Sequence, residues 1–246
     1  MELLAQINER IRGKKQIALL IDPEEHSIAS AEALAKAADA AKVDFILVGG
    51  SYVSTDLTAV VHAIKGATKI PVMLFPGSPM QVAPAADALL LLTLISGRNP
   101  DYLIGNHVLS AGLIRRSGLE VIPVGYMLID GGATTSVQYI SNTNPIPANK
   151  PDLAVATAIA GEMLGLKMIY LEAGSGAPNP VPADVITAVK NAVKLPLIVG
   201  GGLRNQASVL TALKAGADLV VVGNAAESDP SILSALANSV HRFSID

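Results

Sequence analysis

The sequence predicts a single α/β domain over residues 1–246, folded as a (β/α)₈ TIM barrel with a leading N-terminal helix and a missing or rudimentary third outer helix. Three observations predict it. Eight short runs rich in Val, Ile and Leu recur with turn residues behind them, as strands buried on both faces do. Alanine-rich stretches with helical spacing separate most of these runs. Eight such units in 246 residues match a closed barrel, whereas an open sheet of this length usually has fewer strands and longer crossovers.

The elements follow in order. Leu3, Leu4, Ile7 and Ile11 alternate with Glu2, Asn8, Glu9 and Arg10 at helical spacing, without the basic start and apolar run of a signal peptide. The apolar runs cover residues 17–21, 45–48, 72–75, 88–94, 121–124, 168–171, 197–199 and 219–222. Helical patterns lie at 29–41, 57–65, 151–164, 183–193 and 206–215. Only residues 76–86 separate the third and fourth strands, and Pro76, Gly77, Pro79 and Pro84 there spoil any long helix. The strip of barrel wall left bare must meet solvent, another subunit, the leading helix or a greasy ligand. Residues 127–150, after the fifth strand, form an unusually long connection of the kind that serves as a lid or binding loop.

Composition removes several function classes. With 18 Lys and Arg against 21 Asp and Glu the net charge is -3, so no positive field is present to hold a nucleic-acid backbone. Cysteine is absent, which removes disulfides and thiolate chemistry and is compatible with a reducing cytoplasm. The mean hydropathy of +0.45 is high. Even so, the longest apolar stretch, residues 88–95, is far below the roughly 20 residues of a membrane span.

In such a barrel the chemistry lies at the C-terminal ends of the strands. There, Gly200-Gly201-Gly202 and Gly223-Asn224 each lead into a helix, and glycine amides at a helix start favour a phosphate. Glu172, in Tyr170-Leu171-Glu172-Ala173-Gly174-Ser175-Gly176, is costly to bury unpaired at a barrel mouth, so it should meet ligand hydroxyls or a cation, the alternative being an internal ion pair with a lysine. Tyr170 adds a donor beside it, and Ser175 extends the anion surface. Asp22 and Ser51, on adjacent strands, can offer oxygens to Mg²⁺, although Asp before Pro23 is equally a turn former. Arg98 either reaches a diphosphate or simply turns the chain into a helix. His26, His62, His107 and His241 lack metal-ligand spacing, and neither a dinucleotide fingerprint nor a Gly-Lys-Ser/Thr phosphate loop occurs.

Taken together, Leu20-Ile21-Asp22-Pro23, Val48-Gly49-Gly50-Ser51, Phe75-Pro76-Gly77-Ser78, Ser96-Gly97-Arg98-Asn99-Pro100, the stretch from Tyr170 to Ala177, Val199-Gly200-Gly201-Gly202 and Val222-Gly223-Asn224 resemble the geranylgeranylglyceryl phosphate synthase family. The likeness runs through essentially the whole chain and is nearer to the family's second group, of archaea and some bacteria, than to its heptaprenyl branch. The resemblance implies a cytoplasmic, Mg²⁺-dependent prenyltransferase joining sn-glycerol 1-phosphate to geranylgeranyl diphosphate, and a homo-oligomer. It implies Asp22 and Ser51 as metal positions. The glycerol phosphate site it implies comprises Tyr170, Leu171, Glu172, Ala173, Gly174, Ser175, Gly176, Gly201, Gly202, Gly223 and Asn224. For such a reaction Glu172 and Tyr170 are the expected catalytic pair, Glu172 orienting the acceptor hydroxyl and accepting its proton. It also makes the bare strip a trench for the prenyl chain. Three alternatives stay open: a longer heptaprenyl donor, another phosphate-handling barrel such as an isomerase or aldolase, and a non-catalytic phosphate- or lipid-binding barrel.

Overall fold

The protein is described by a computed structural model over residues 2–243. Eight parallel strands, β1 (Gln16–Ile21), β2 (Phe45–Val48), β3 (Val72–Leu74), β4 (Ala88–Leu94), β5 (Glu120–Leu128), β6 (Met168–Glu172), β7 (Leu197–Gly200) and β8 (Leu219–Val222), pair each with the next. The cylinder closes where β1 meets β8, Ala18 beside Val221. Alternate residues divide the core into two layers. Phe45, Leu47, Met73, Leu90 and Ile198 fill the barrel. Ile46, Val48, Leu74, Leu89 and Val199 pack outward against the helices.

Seven of the eight apolar runs become strands within a residue or so of the expected ends. The exception is β5, which continues through Gly125 and Tyr126 to Leu128. Gly125 breaks the apolar run where neighbours pack closely: a Cβ would lie 2.9 Å from both Ile169 Cδ1 and Ile95 Cδ1, so those side chains would have to shift to admit one. The expected loop 127–150 is correspondingly shorter. It contains the short helix α5 (Ser136–Ser141) and is tied back by a bridge between Ile129 and Ile146.

The expected helices form as α2 (Ile28–Ala40), α3 (Leu57–Ala67), α6 (Pro151–Met163), α7 (Ala183–Ala192) and α8 (Gln206–Lys214). Their starts are chemically marked. Ser27 caps α2, Asp56 caps α3, and Asn205 with Ser208 forms a capping box on α8. Four helices lie outside the expected patterns: α5, α9 (Asn224–Ser228), α10 (Ile232–His241) and the one that follows β4. A π-helical turn at Asp101–Gly105 runs into α4 (Asn106–Ser117), which buries Ser110 and Ile114 while Val108 and Leu109 face outward. Its apolar residues do not mark its core face, which hid the pattern. No helix among the described residues is long and apolar enough to cross a membrane.

Between β3 and β4 no helix forms, as the prolines predict. Buried Gln81 holds this segment, taking the Gly77 amide on Oε1 at 3.1 Å and donating from Nε2 to the Gly50 carbonyl at 3.0 Å. The leading helix α1 (Leu3–Arg10) does not cover the bare strip. It closes the N-terminal end of the barrel, where Leu3 and Ile7 join the interior cluster, Glu120 accepts the Leu3 and Leu4 amides, and Gln16 donates to the Ile7 carbonyl. There its apolar side, with Leu3 and Ile7, is removed from water against the barrel interior, as an amphipathic helix requires.

Candidate active site

The C-terminal ends of the strands surround a polar basin, and ten of the sequence-predicted residues line it: Asp22, Ser51, Tyr170, Glu172, Ser175, Gly176, Gly201, Gly202, Gly223 and Asn224. These come from β1, β2, β6, β7 and β8, brought together only by closure of the barrel. Leu171 and Ala173 do not join them, because strand alternation turns both into the outer core layer. The Gly174 amide is already engaged, donating to Glu172 Oε1 at 2.7 Å. Arg98 also lies elsewhere. It lines a separate cavity with Asn142 and Thr143, and its Nη1 donates to the carbonyls of Ile95, Ser96 and Gly97 at 3.4, 3.4 and 2.8 Å.

The anion side of the basin is built from backbone. Gly201 and Gly202 have φ of +78° and +69°, which side-chain-bearing residues rarely adopt. At Gly201 a Cβ would also crowd the amides of Ala173 and Gly174, each at 2.7 Å. The loops are locked to one another. Ser175 Oγ donates to Asn224 Oδ1 at 2.8 Å, and Arg204 Nη2 donates to the carbonyls of Gly176 and Ala177 at 3.0 and 2.7 Å.

Glu172 stands at the centre, 5% exposed. Burial pushes its carboxyl up from 4.5 to about 7, against the stabilising hydrogen bond from the Gly174 amide and the lowering influence of the nearby Tyr170 hydroxyl. The Tyr170 hydroxyl is fully buried beside it and makes no hydrogen bond of regular geometry. Burial raises the Tyr170 and Tyr126 hydroxyls far above the ordinary phenol value, with the Glu172 charge adding to it, so both stay protonated.

At the end of β1, beside β8, Asp22 is half-buried. Burial raises its carboxyl, opposed by the hydrogen bond from the Glu24 amide and reinforced by the nearby charge of Glu25. A Cβ on Gly50 would lie 2.5 Å from Asp22 Oδ2, so glycine there makes room for the carboxylate. Glu24 reaches across to the β2 loop, accepting from the Ser54 and Thr55 amides and from both hydroxyls. It thereby fixes the loop bearing Asp22 to the one bearing Ser51.

Next to the basin lies an apolar trench in the gap left by the missing helix, lined by Val82, Leu89, Leu91, Tyr102, His107 and Ile114 among others. Gly50, Ser51, Phe75, Tyr126 and Val137 border both cavities. At this junction the rings of Phe75, Tyr126 and Tyr170 form a triangle with centroid separations of 5.9, 5.4 and 5.4 Å. Sequence reading missed this cluster, since aromatic residues 44 and 51 positions apart show no local pattern. It also missed Glu227, described below. A polar residue one turn into the helix after the β8 glycine would have been its signal.

The sequence matches the PcrB family model over residues 9–240. The chain belongs to the PcrB family. A geranylgeranylglyceryl phosphate synthase of Chitinophaga pinensis is 52% identical over 236 residues, covering 96% of this chain and 94% of that protein. One from Thermococcus gammatolerans is 42% identical over 228 residues, covering 92% and 90%. The crystal structure of (S)-3-O-geranylgeranylglyceryl phosphate synthase from Thermoplasma acidophilum, in complex with its substrate sn-glycerol-1-phosphate, superposes with a TM-score of 0.94 at 32% identity, covering 99% of this chain and all of that one. A PcrB-family barrel therefore carries the basin and the trench described above.

Proposed function

We propose that the protein transfers a geranylgeranyl group from geranylgeranyl diphosphate to the 3-hydroxyl of sn-glycerol 1-phosphate, releasing diphosphate. One observation carries the reading: a glycine-lined polar basin opens directly into an apolar trench, so that a small anionic alcohol and a long hydrocarbon tail meet at Phe75 and Tyr126. The family relatives named above support it. Isomerases and aldolases of this fold need no such trench.

In this reading the amides of Gly176, Gly201, Gly202 and Gly223, with Ser175 and Asn224, hold the acceptor's phosphate. That anchor aims the 3-hydroxyl at Glu172, with the Tyr170 hydroxyl as a second contact. The hydroxyl oxygen forms a bond to the prenyl C1 as the bond from C1 to diphosphate breaks, and the hydroxyl proton passes to Glu172. A carboxyl at about 7 suits a base at neutral pH. The apolar walls exclude water, which would otherwise capture the prenyl carbon.

The residues fit Mg²⁺ as a shared cation. No group of three or more His, Cys, Asp or Glu side chains among the described residues could hold a metal alone. Asp22 is nonetheless a carboxylate whose charge is made costly by burial and by Glu25, and Ser51 opens on the same rim. Mg²⁺ commonly takes one or two protein oxygens and completes its shell from substrate phosphates and water. When bound it would neutralise charge on the departing diphosphate.

A homo-oligomer is the matching assembly, because α4 and α6 leave Leu109, Met163 and Leu164 77%, 82% and 75% exposed. Light scattering on the purified protein checks it.

The deciding experiment incubates the protein with sn-glycerol 1-phosphate, Mg²⁺ and labelled prenyl diphosphates of increasing length, then extracts the lipid. Label in an ether-linked glycerol phosphate, greatest with the geranylgeranyl donor, is expected. Organic-phase label with none of the donors overturns the reading, and a preference for the heptaprenyl donor replaces its chain length.

A further inference from the structure

Asp22 is held by two hydrogen bonds beside a glycine that leaves room for its carboxylate. Its Oδ1 accepts the Glu24 amide at 3.0 Å, its Oδ2 nests against Gly50, and its own amide donates to Glu227 Oε1 at 3.0 Å. The last of these crosses the seam where the barrel closes. Glu227 sits in the short helix α9 (Asn224–Ser228), whose Glu227 amide bonds back to the Gly223 carbonyl at 3.0 Å. Its position is therefore set by the β8 anion loop. The same Oε1 faces His26 Nε2 at 3.0 Å, on the far side of the β1 loop, and the Glu227 side chain is only 6% exposed.

A carboxylate buried to this degree costs stability unless its oxygens are used. Here the one oxygen is used twice, and both partners belong to the loop bearing Asp22. No step of the proposed chemistry needs Glu227.

We propose that Glu227 is a positioning residue for the donor half of the site: it registers the Asp22 loop against the β8 loop that holds the acceptor's phosphate. This rests on the proposed function, since it assigns the donor diphosphate with its cation to the Asp22 rim and the glycerol phosphate to the glycine loops. Glu227 holds the first at a fixed offset from the second, and an offset wrong by about 1 Å can cost on the order of 100-fold in rate. His26 braces the same carboxylate from outside.

Calorimetry on the full chain tests this by separate titrations with inorganic diphosphate plus Mg²⁺ and with sn-glycerol 1-phosphate. Glu227→Ala should weaken uptake of Mg²⁺ and diphosphate about tenfold, as loss of a partner behind a metal ligand typically does. Affinity for glycerol 1-phosphate should move less than about twofold. Glu227→Gln keeps a carbonyl oxygen for the Asp22 amide and should recover most of the loss. His26→Ala removes only the outer brace; it should shift the same titration in the same direction by a smaller factor, and it serves if Glu227→Ala does not fold. Unchanged diphosphate uptake in these variants overturns the inference. So does an equal fall in both affinities with a lowered melting temperature, the mark of a merely structural role. A wild-type protein that takes up neither ligand overturns the proposed function as well.

Discussion

Gly200 lies directly against the hydroxyl of Tyr170. A Cβ built on it would overlap the phenolic oxygen and come within 2.9 Å of Glu172 Oε2. The last residue of β7 thus has to be glycine for the two polar groups of β6 to occupy their places. Gly200→Ala should leave the barrel folded but displace both groups, lowering kcat by at least about tenfold, with a smaller effect on phosphate affinity. Steady-state kinetics with calorimetry separates the two, and wild-type kcat in this variant would remove Tyr170 and Glu172 from the chemistry.

Glu172 predicts a pH dependence in two observables. Its folded pKa of about 7 lies above the ordinary 4.5 because burial penalises the charge. A base must be ionised, so kcat should rise through about pH 7. Stability runs the other way. The unfolded state releases its proton near 4.5 and the folded state near 7, so the contribution of the neutral buried carboxyl is full below about 4.5 and is lost as pH rises through about 7. Glu172→Gln should lower kcat by about 100-fold or more and flatten both profiles. Melting curves and kcat measured from pH 5 to about 8.5 check this pair.

Asp22→Asn keeps the turn and nearly the same volume while removing the charge. Activity should fall, and the Mg²⁺ concentration for half-maximal rate should rise about tenfold. A Mg²⁺ titration unchanged from wild type would take Asp22 out of the cation site.

The trench predicts donor length. Ser110 is buried on its wall, so Ser110→Phe fills apolar space between α4 and β4. The variant should discriminate against longer donors more than shorter ones in a ladder of prenyl diphosphates, leaving affinity for glycerol 1-phosphate within about twofold. A uniform loss at all lengths would place the tail elsewhere.

Away from the site, Asp218 is buried and takes Lys15 at 3.1 Å, Lys190 and the Leu197 amide, which lies 2.9 Å away. Removing it strands a buried ammonium, so Asp218→Ala should cost about 3–5 kcal/mol, read by denaturant unfolding. It does not border the basin, and the pH profile of kcat should keep its shape.

The sequence by itself determined the barrel and where its anion loops fall. Strand and helix periods are local, and so are the proline block at 76–86 and the glycines at 200–202 and 223. It also determined that a strip of wall would be left bare, because that follows from a helix that cannot form. What covers the bottom instead of that strip, the turning of Arg98 onto its own loop, the aromatic triangle and the link from Asp22 to Glu227 were decided by tertiary structure alone. The last joins residues 205 positions apart, and only the register at which β8 closes on β1 brings them together. Contacts across a closure depend on shear and strand order, which no local pattern records.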